Sequence, residues 1–248
     1  MRFKDHFSTQ AAGYAAHRPI YPGALVDALA DAAPARALAL DCACGTGQLS
    51  VLLADRFEHV VATDASAAQI AHARPHARVV YSVAPAEQSN LPAASVDLVT
   101  VAQAAHWLEL PALYADVRRV ARSGAILALI TYGVLHIDDA AIDAVMQRFY
   151  GETLGPYWPP ERRHVEDGYR TLLFPFPAVA MPELAITQSW GLSDLIGYTE
   201  TWSAARALET ALGRAPILAF QETLAATWGA PDARRTIRWP LSLRAGRV

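Results

Sequence analysis

Asp41, Gly45 and Gly47 are the residues whose type and spacing best suit chemistry. They follow the apolar run Ala37-Leu-Ala-Leu and precede Leu49, Leu52, Leu53 and Phe57, which recur at helical spacing. The pattern predicts a strand, a glycine turn and an amphipathic helix. Glycines in such a turn let a ligand lie close to the backbone, and the start of the helix presents unpaired N–H donors and a partial positive charge. An anionic or carboxylate-bearing ligand is favoured there, although Gly-x-Gly also occurs in turns that need glycine only for geometry. About twenty residues further on, His59-Val-Val-Ala-Thr-Asp64 predicts a second strand ending in an acid, the place where a nucleotide fold binds the ribose hydroxyls.

Asp41-Cys-Ala-Cys-Gly-Thr-Gly47 resembles the first motif of class I S-adenosylmethionine-dependent methyltransferases, and Asp64 resembles their ribose-binding acid. A dinucleotide fingerprint would place Gly or Ala where Ser50 stands and would need no acid at Asp41, so a nicotinamide or flavin cofactor ranks second. The resemblance implies S-adenosylmethionine as cofactor, with Asp41, Ala43, Gly45, Thr46, Gly47, Asp64 and Ala65 beside it. It also implies Ala86 and Glu87 at the adenine edge, and Gln103 after the fourth strand. Cys42-Ala43-Cys44 departs from the pattern by lacking a further glycine before Gly45. The leading segment, with Phe3, Phe7, Tyr14, Arg18, Pro19, Tyr21 and Pro22, resembles that of the trans-aconitate methyltransferase type. Tyr14 and Arg18 would then reach the cofactor or acceptor, with Phe7 beside the acceptor; the segment reads equally as a hydrophobic lid on the core.

A sulfonium methyl is already electrophilic, so the chemistry expected is in-line methyl transfer to a small-molecule carboxylate, hydroxyl or amine, with no metal and no covalent nucleophile. A base is needed only where the acceptor must lose a proton, and His106 is the candidate; packing or a hydrogen bond is its other reading. A carboxylate acceptor needs none, and Arg18 or Arg162 could hold it by paired hydrogen bonds. Trp107, Tyr157, Trp158, His164 and Tyr169 are the remaining candidates for the acceptor's surroundings, and each reads equally well as core filling.

The totals bound the alternatives. The chain has 248 residues, 53% of them hydrophobic and 18% charged, which fits one large α/β domain and excludes disorder. Net charge is −3, and Lys and Arg cluster only as the pairs Arg118-Arg119, Arg162-Arg163 and Arg234-Arg235, too sparse for a nucleic-acid backbone. The segment Val101-Ala-Gln-Ala-Ala lacks the Asn/Asp-Pro-Pro-Tyr/Phe run that amino-methylating DNA enzymes share, so nucleic-acid or protein methylation ranks below a small molecule, as does a non-catalytic binding protein. The two cysteines, Cys42 and Cys44, have no second pair at metal spacing and imply no oxidising compartment. No signal-like or membrane-spanning stretch is present, so a cytoplasmic monomer or homodimer without membrane contact is expected.

The elements that must position these residues read as a doubly wound, seven-stranded Rossmann-like sheet with a helical cap. A helix carries Leu25, Val26 and Leu29 on one face. Strands are expected over 78–83, 96–102, 125–131 and 183–189, and a helix bearing Leu113, Val117 and Val120 is expected to end at Ser123-Gly124. The resemblance implies that the last strand, 235–244, runs antiparallel between the fifth and sixth, and Pro240 predicts a bulge in it. Within one domain spanning 1–248, residues 1–22 are expected to form a lid arm and 23–131 the cofactor-binding core. Residues 132–180 are expected as the cap insert, and 181–248 complete the sheet.

Overall fold

The computed structural model describes residues 19–230 and 232–248. Phe7, Tyr14 and Arg18, and with them most of the expected lid arm, lie outside the described residues.

Five strands run parallel: β1 (Leu38–Cys42), β2 (His59–Asp64), β3 (Val79–Val83), β4 (Val96–Ala102) and β5 (Ala121–Tyr132). Helices α1 (Gly23–Ala32), α2 (Gln48–Leu53), α3 (Ala67–Ala71) and α4 (Leu110–Val120) alternate with them. Strand β4 reads as a near-continuous apolar run, and β5 as one from Ala125 to Ile130, because both faces are covered. Along each the side chains alternate: Leu98 and Ile126 join Leu25, Leu29 and Phe57 on one face, while Val99 and Leu127 join Leu113, Tyr114 and Tyr169 on the other.

The last strand, β9 (Arg235–Arg247), is antiparallel to β5 on one side and to β8 (Leu184–Trp190) on the other. Two short strands extend its neighbours: β6 (His136–Ile137) continues the line of β5, and β7 (Ala178–Val179) that of β8. Arg238 faces His136 across one edge and Thr187 across the other, so the nine strands among the described residues occupy seven positions.

Two expectations need correction. Pro240 makes no bulge in β9 itself, where it lies in unbroken register opposite Ala185; the extra residue falls on the other side, between the pairs Tyr132–Leu241 and His136–Arg238. Its carbonyl accepts from Gly133 N at 3.1 Å, and since a strand residue's N and carbonyl face the same neighbour, its missing N–H faces the gap between β5 and β6. Nor do Ser123 and Gly124 end a helix. Helix α4 stops at Val120 and β5 begins at once, with the extra residues bulging out between the pairs Val96–Ala121 and Leu98–Ile126; Gly124 takes φ +82° there.

The segment 132–180 is mixed. It holds β6, helix α5 (Ala140–Arg148) capped by Asp139, a π turn (Phe149–Thr153), a 3-10 turn (Gly155–Tyr157), helix α6 (Arg162–Glu166) and β7. After β8 come α7 (Leu192–Glu200), α8 (Ser203–Leu212) and α9 (Ala215–Trp228). Phe149 stacks on Phe220 of α9 with centroids 3.7 Å apart, which ties the segment to the main body. Among the described residues no helix is long and apolar enough to cross a membrane.

Candidate active site

The turn after β1 is built from left-handed residues: Ala43 has φ +53°, Gly45 +57° and Gly47 +79°. The β2 tip holds it in place. Cys44 N donates to Thr63 O at 2.9 Å, and Gly45 N donates to Asp64 Oδ2 at 2.8 Å, while Asp64 Oδ1 accepts from Ser66 N at 2.8 Å. A hydrogen bond to a charged group contributes about 1.5–3 kcal/mol, so Asp64 is also the clasp that shapes the glycine turn. Ala65, next to it, is half-buried, and Thr46 is buried within the turn.

Asp41 plays a different part. Ser50 Oγ donates to its Oδ2 at 2.6 Å and Thr100 Oγ1 to its Oδ1 at 2.8 Å, so it joins β1 to α2 and β4. Burial pushes this carboxyl up to about 6, against the lowering effect of the two hydroxyls. Tyr81 of β3 is a residue that motif reading missed. A Cβ on Gly47 would lie 2.1 Å from the Tyr81 hydroxyl, which donates to Arg74 O at 2.8 Å. Nothing local in the sequence connects Tyr81 to Gly47; only the pairing of β2 and β3 does.

Beyond β3, Ala86 is buried and Glu87 half-buried, and Glu87 Oε1 accepts from Glu109 N at 3.1 Å, at the start of α4. Gln103, at the β4 tip, takes φ +56° and binds β5 through both ends of its amide: Nε2 donates to Tyr132 O at 3.2 Å and Oε1 accepts from Thr131 Oγ1 at 2.9 Å.

His106 and Trp107 form a single 3-10 turn after β4, with ring centroids 4.7 Å apart, and α6 packs on this turn. His106 Nδ1 lies 2.8 Å from the Tyr169 hydroxyl. Burial, with the charges of Arg162 and His164 adding to it, holds the imidazole down at about 3, so His106 is neutral at pH 7 and a weak proton acceptor. Tyr169 has no accessible surface; it supports His106 from below rather than lining an open cleft. Its left-handed turn, φ +61°, is fastened by Arg244, whose Nη1 donates to Tyr169 O at 2.7 Å.

The other aromatic candidates lie further out. Trp158 is half-buried against Tyr150, with centroids 4.9 Å apart, and donates from Nε1 to Tyr150 O at 3.2 Å. Tyr157 packs on the main core, and His164 Nδ1 lies 3.0 Å from Thr171 Oγ1. The structure thus brings Asp41, Ala43, Gly45, Thr46, Gly47, Asp64 and Ala65 together at the β1 and β2 tips. It gathers His106, Trp107 and Tyr169 at the β4 tip under α6.

These residues fit S-adenosylmethionine. The space that a Cβ on Gly45 would enter holds no heavy atom closer than Gln69 Oε1 at 3.8 Å, so a ligand can lie directly on that backbone. Beside it stand the Asp64 carboxylate, matched to hydroxyl donors, and Gln48, whose Nε2 is buried without a partner among the described residues. Among the described residues no group of three or more His, Cys, Asp or Glu could hold a metal ion.

Comparison with known proteins agrees with this geometry. Residues 40–129 match the model of the methyltransferase domain family. A Dictyostelium discoideum protein, provisionally named a methyltransferase, is 34% identical over 238 residues, which is 93% of this chain and 89% of that protein. A Saccharomyces cerevisiae protein, provisionally named an S-adenosylmethionine-dependent methyltransferase, is 30% identical over 132 residues, 50% of this chain and 45% of that one. The solved structure of a provisionally named type II methyltransferase from Anaeromyxobacter dehalogenans superposes with a TM-score of 0.88 at 49% identity, covering 93% of this chain and 97% of that one. The chain belongs to the class I S-adenosylmethionine-dependent methyltransferases.

Proposed function

We propose that this enzyme transfers the methyl group of S-adenosylmethionine to a small-molecule acceptor by in-line displacement. The observation that carries the reading is the clasp of Asp64 Oδ2 on Gly45 N, 2.8 Å, which holds an open stretch of left-handed backbone beside a carboxylate. When bound, S-adenosylmethionine supplies an electrophilic methyl on a sulfonium sulfur. The chain's part is then to hold donor and acceptor in line and keep water out, and orientation of this kind accounts for about 7–11 kcal/mol of a barrier.

In this reading Asp64 takes the ribose hydroxyls, while Ala43, Gly45, Thr46, Gly47 and Ala65 form the bed under the cofactor. Ala86 and Glu87 stand at the adenine edge. Asp41 and Gln103 stand with them at the strand tips and also shape those tips, Asp41 through Ser50 and Thr100 and Gln103 through Thr131 and Tyr132. His106 orients groups at the methyl end and does not act as the base, because a group held at about 3 takes up a proton poorly near neutral pH. Residues 132–180 form the acceptor's cap. The sparse basic pairs favour a small molecule over a nucleic acid.

Calorimetric titration with S-adenosylhomocysteine tests the cofactor half of the proposal. Binding in the micromolar range is expected for the native chain, with a loss of at least tenfold in Asp64→Ala. Absence of binding at hundreds of micromolar would overturn it.

A further inference from the structure

Arg162 opens helix α6, which packs on the His106–Trp107 turn, so the methyl end of the site has a cation above it. The guanidinium is held on several sides. Its Nε donates to the Tyr150 hydroxyl at 2.8 Å, and that hydroxyl donates in turn to Glu166 Oε1. Its carbon lies 4.9 Å from the ring centre of Trp158 and 5.6 Å from that of Tyr150. The side chain is only 23% exposed, and Glu166 approaches Nε alone, at 4.0 Å.

What remains is the fork. Neither terminal nitrogen of Arg162 has a hydrogen-bond or ion-pair partner among the described residues. An arginine carries five N–H donors in a rigid plane, and here one is engaged. A solvated surface arginine would leave them to water, but such a side chain is not stacked on two rings and aimed by a tyrosine that a glutamate holds. Ordering a long side chain costs rotamer entropy, and in this fold that cost is met before any ligand arrives.

We propose that Arg162 sets acceptor specificity by gripping an oxyanion of the acceptor, a carboxylate or a phosphate, through its two terminal nitrogens, with Tyr150 and Glu166 as the positioning residues that aim it. This rests on the methyl-transfer reading above. The planar fork matches two oxygens of either group. Its helix packs on the His106–Trp107 turn and its charge is felt at both His106 and Tyr169, which puts the oxyanion at the methyl end rather than at the ribose end. Glu166 offsets part of the charge from behind without blocking the fork, because its carboxylate reaches Nε and the Tyr150 hydroxyl instead.

The test uses the full chain saturated with S-adenosylhomocysteine, and four probes: benzoate, phenyl phosphate and their neutral counterparts benzamide and benzyl alcohol. Binding is read by saturation-transfer NMR and calorimetry. At least one oxyanion is expected to bind at least tenfold more tightly than the neutral probes, and comparison of benzoate with phenyl phosphate tells which oxyanion the fork takes. Arg162→Gln should remove that preference and leave S-adenosylhomocysteine affinity within twofold, which also reports that the variant is folded. Arg162→Lys keeps charge without the fork and should recover only part of the preference. Tyr150→Phe should weaken the oxyanion several-fold while the neutral probes are unmoved. The same preference in Arg162→Gln as in the native chain, or neutral probes binding as well as oxyanions, would overturn the inference and leave the cofactor reading intact. Failure of S-adenosylhomocysteine to bind any of these proteins would instead overturn the cofactor reading and this inference with it.

Discussion

Asp41→Asn should remove one pH dependence of stability. In the fold the Asp41 carboxyl is fully buried and pushed from 3.8 up to about 6. Between those values the folded state binds more protons than the unfolded one, so this group's contribution is fully present below about pH 3.8 and is lost as pH rises through 6. A rise of roughly two units corresponds to about 3 kcal/mol of cost for the ionised form at pH 7. Asparagine keeps the shape and one acceptor for a hydroxyl of Ser50 or Thr100, and its amide N–H₂ can donate to the other hydroxyl after that group rotates. Urea denaturation of both proteins between pH 4 and 7.5 gives the comparison, and the difference cancels groups common to the two. The variant's stability relative to the native chain should climb by about 2.5 kcal/mol across that range, most of it between pH 4 and 6.5. A constant offset would refute the reasoning, because it would mean that Asp41 titrates alike in the folded and unfolded chains.

Other perturbations probe the turn and its supports. Ala43→Gly should raise the denaturation midpoint slightly, by up to about 1 kcal/mol, because relief of a left-handed alanine outweighs the extra freedom of the unfolded glycine. Gly47→Ala should cost about 2–3 kcal/mol, from φ +79° and from pushing Tyr81 off Arg74 O, and calorimetry with S-adenosylhomocysteine should show weakened binding as well. His106→Gln should lower kcat by less than tenfold and leave its pH profile without a lost inflection near 6.5; a loss of 10²–10⁴ would mean that His106 is a base after all. Arg244→Met should speed amide hydrogen exchange over residues 168–172, as the carbonyls of Tyr169, Arg170 and Leu172 lose their common donor.

Much of the β1-to-β5 core was legible because its signals are local. Burial on both faces makes β4 a near-continuous apolar run, and a glycine turn after a strand announces itself within seven residues, from Asp41 to Gly47. The corrections arose where the deciding partner is remote. Pro240 reads as a break in a ladder until the end of β5 is known to leave a gap beside it, and Gly124 reads as a helix stop until the bulge opposite Val96 accounts for it.

The site divides in the same way. The sequence by itself located the glycine turn and the two acidic strand ends beside it, because Asp41, Gly45, Gly47 and Asp64 sit at fixed offsets from predictable strand ends. It could name His106 and Arg162 but not weigh them. Only the tertiary structure decided that burial leaves His106 neutral and that Arg162, on the helix packed against the His106 turn, is stacked on Tyr150 and Trp158 with its fork unengaged. Proton affinity and side-chain direction depend on what long-range packing brings within a few ångströms, and spacing along the chain carries no record of that.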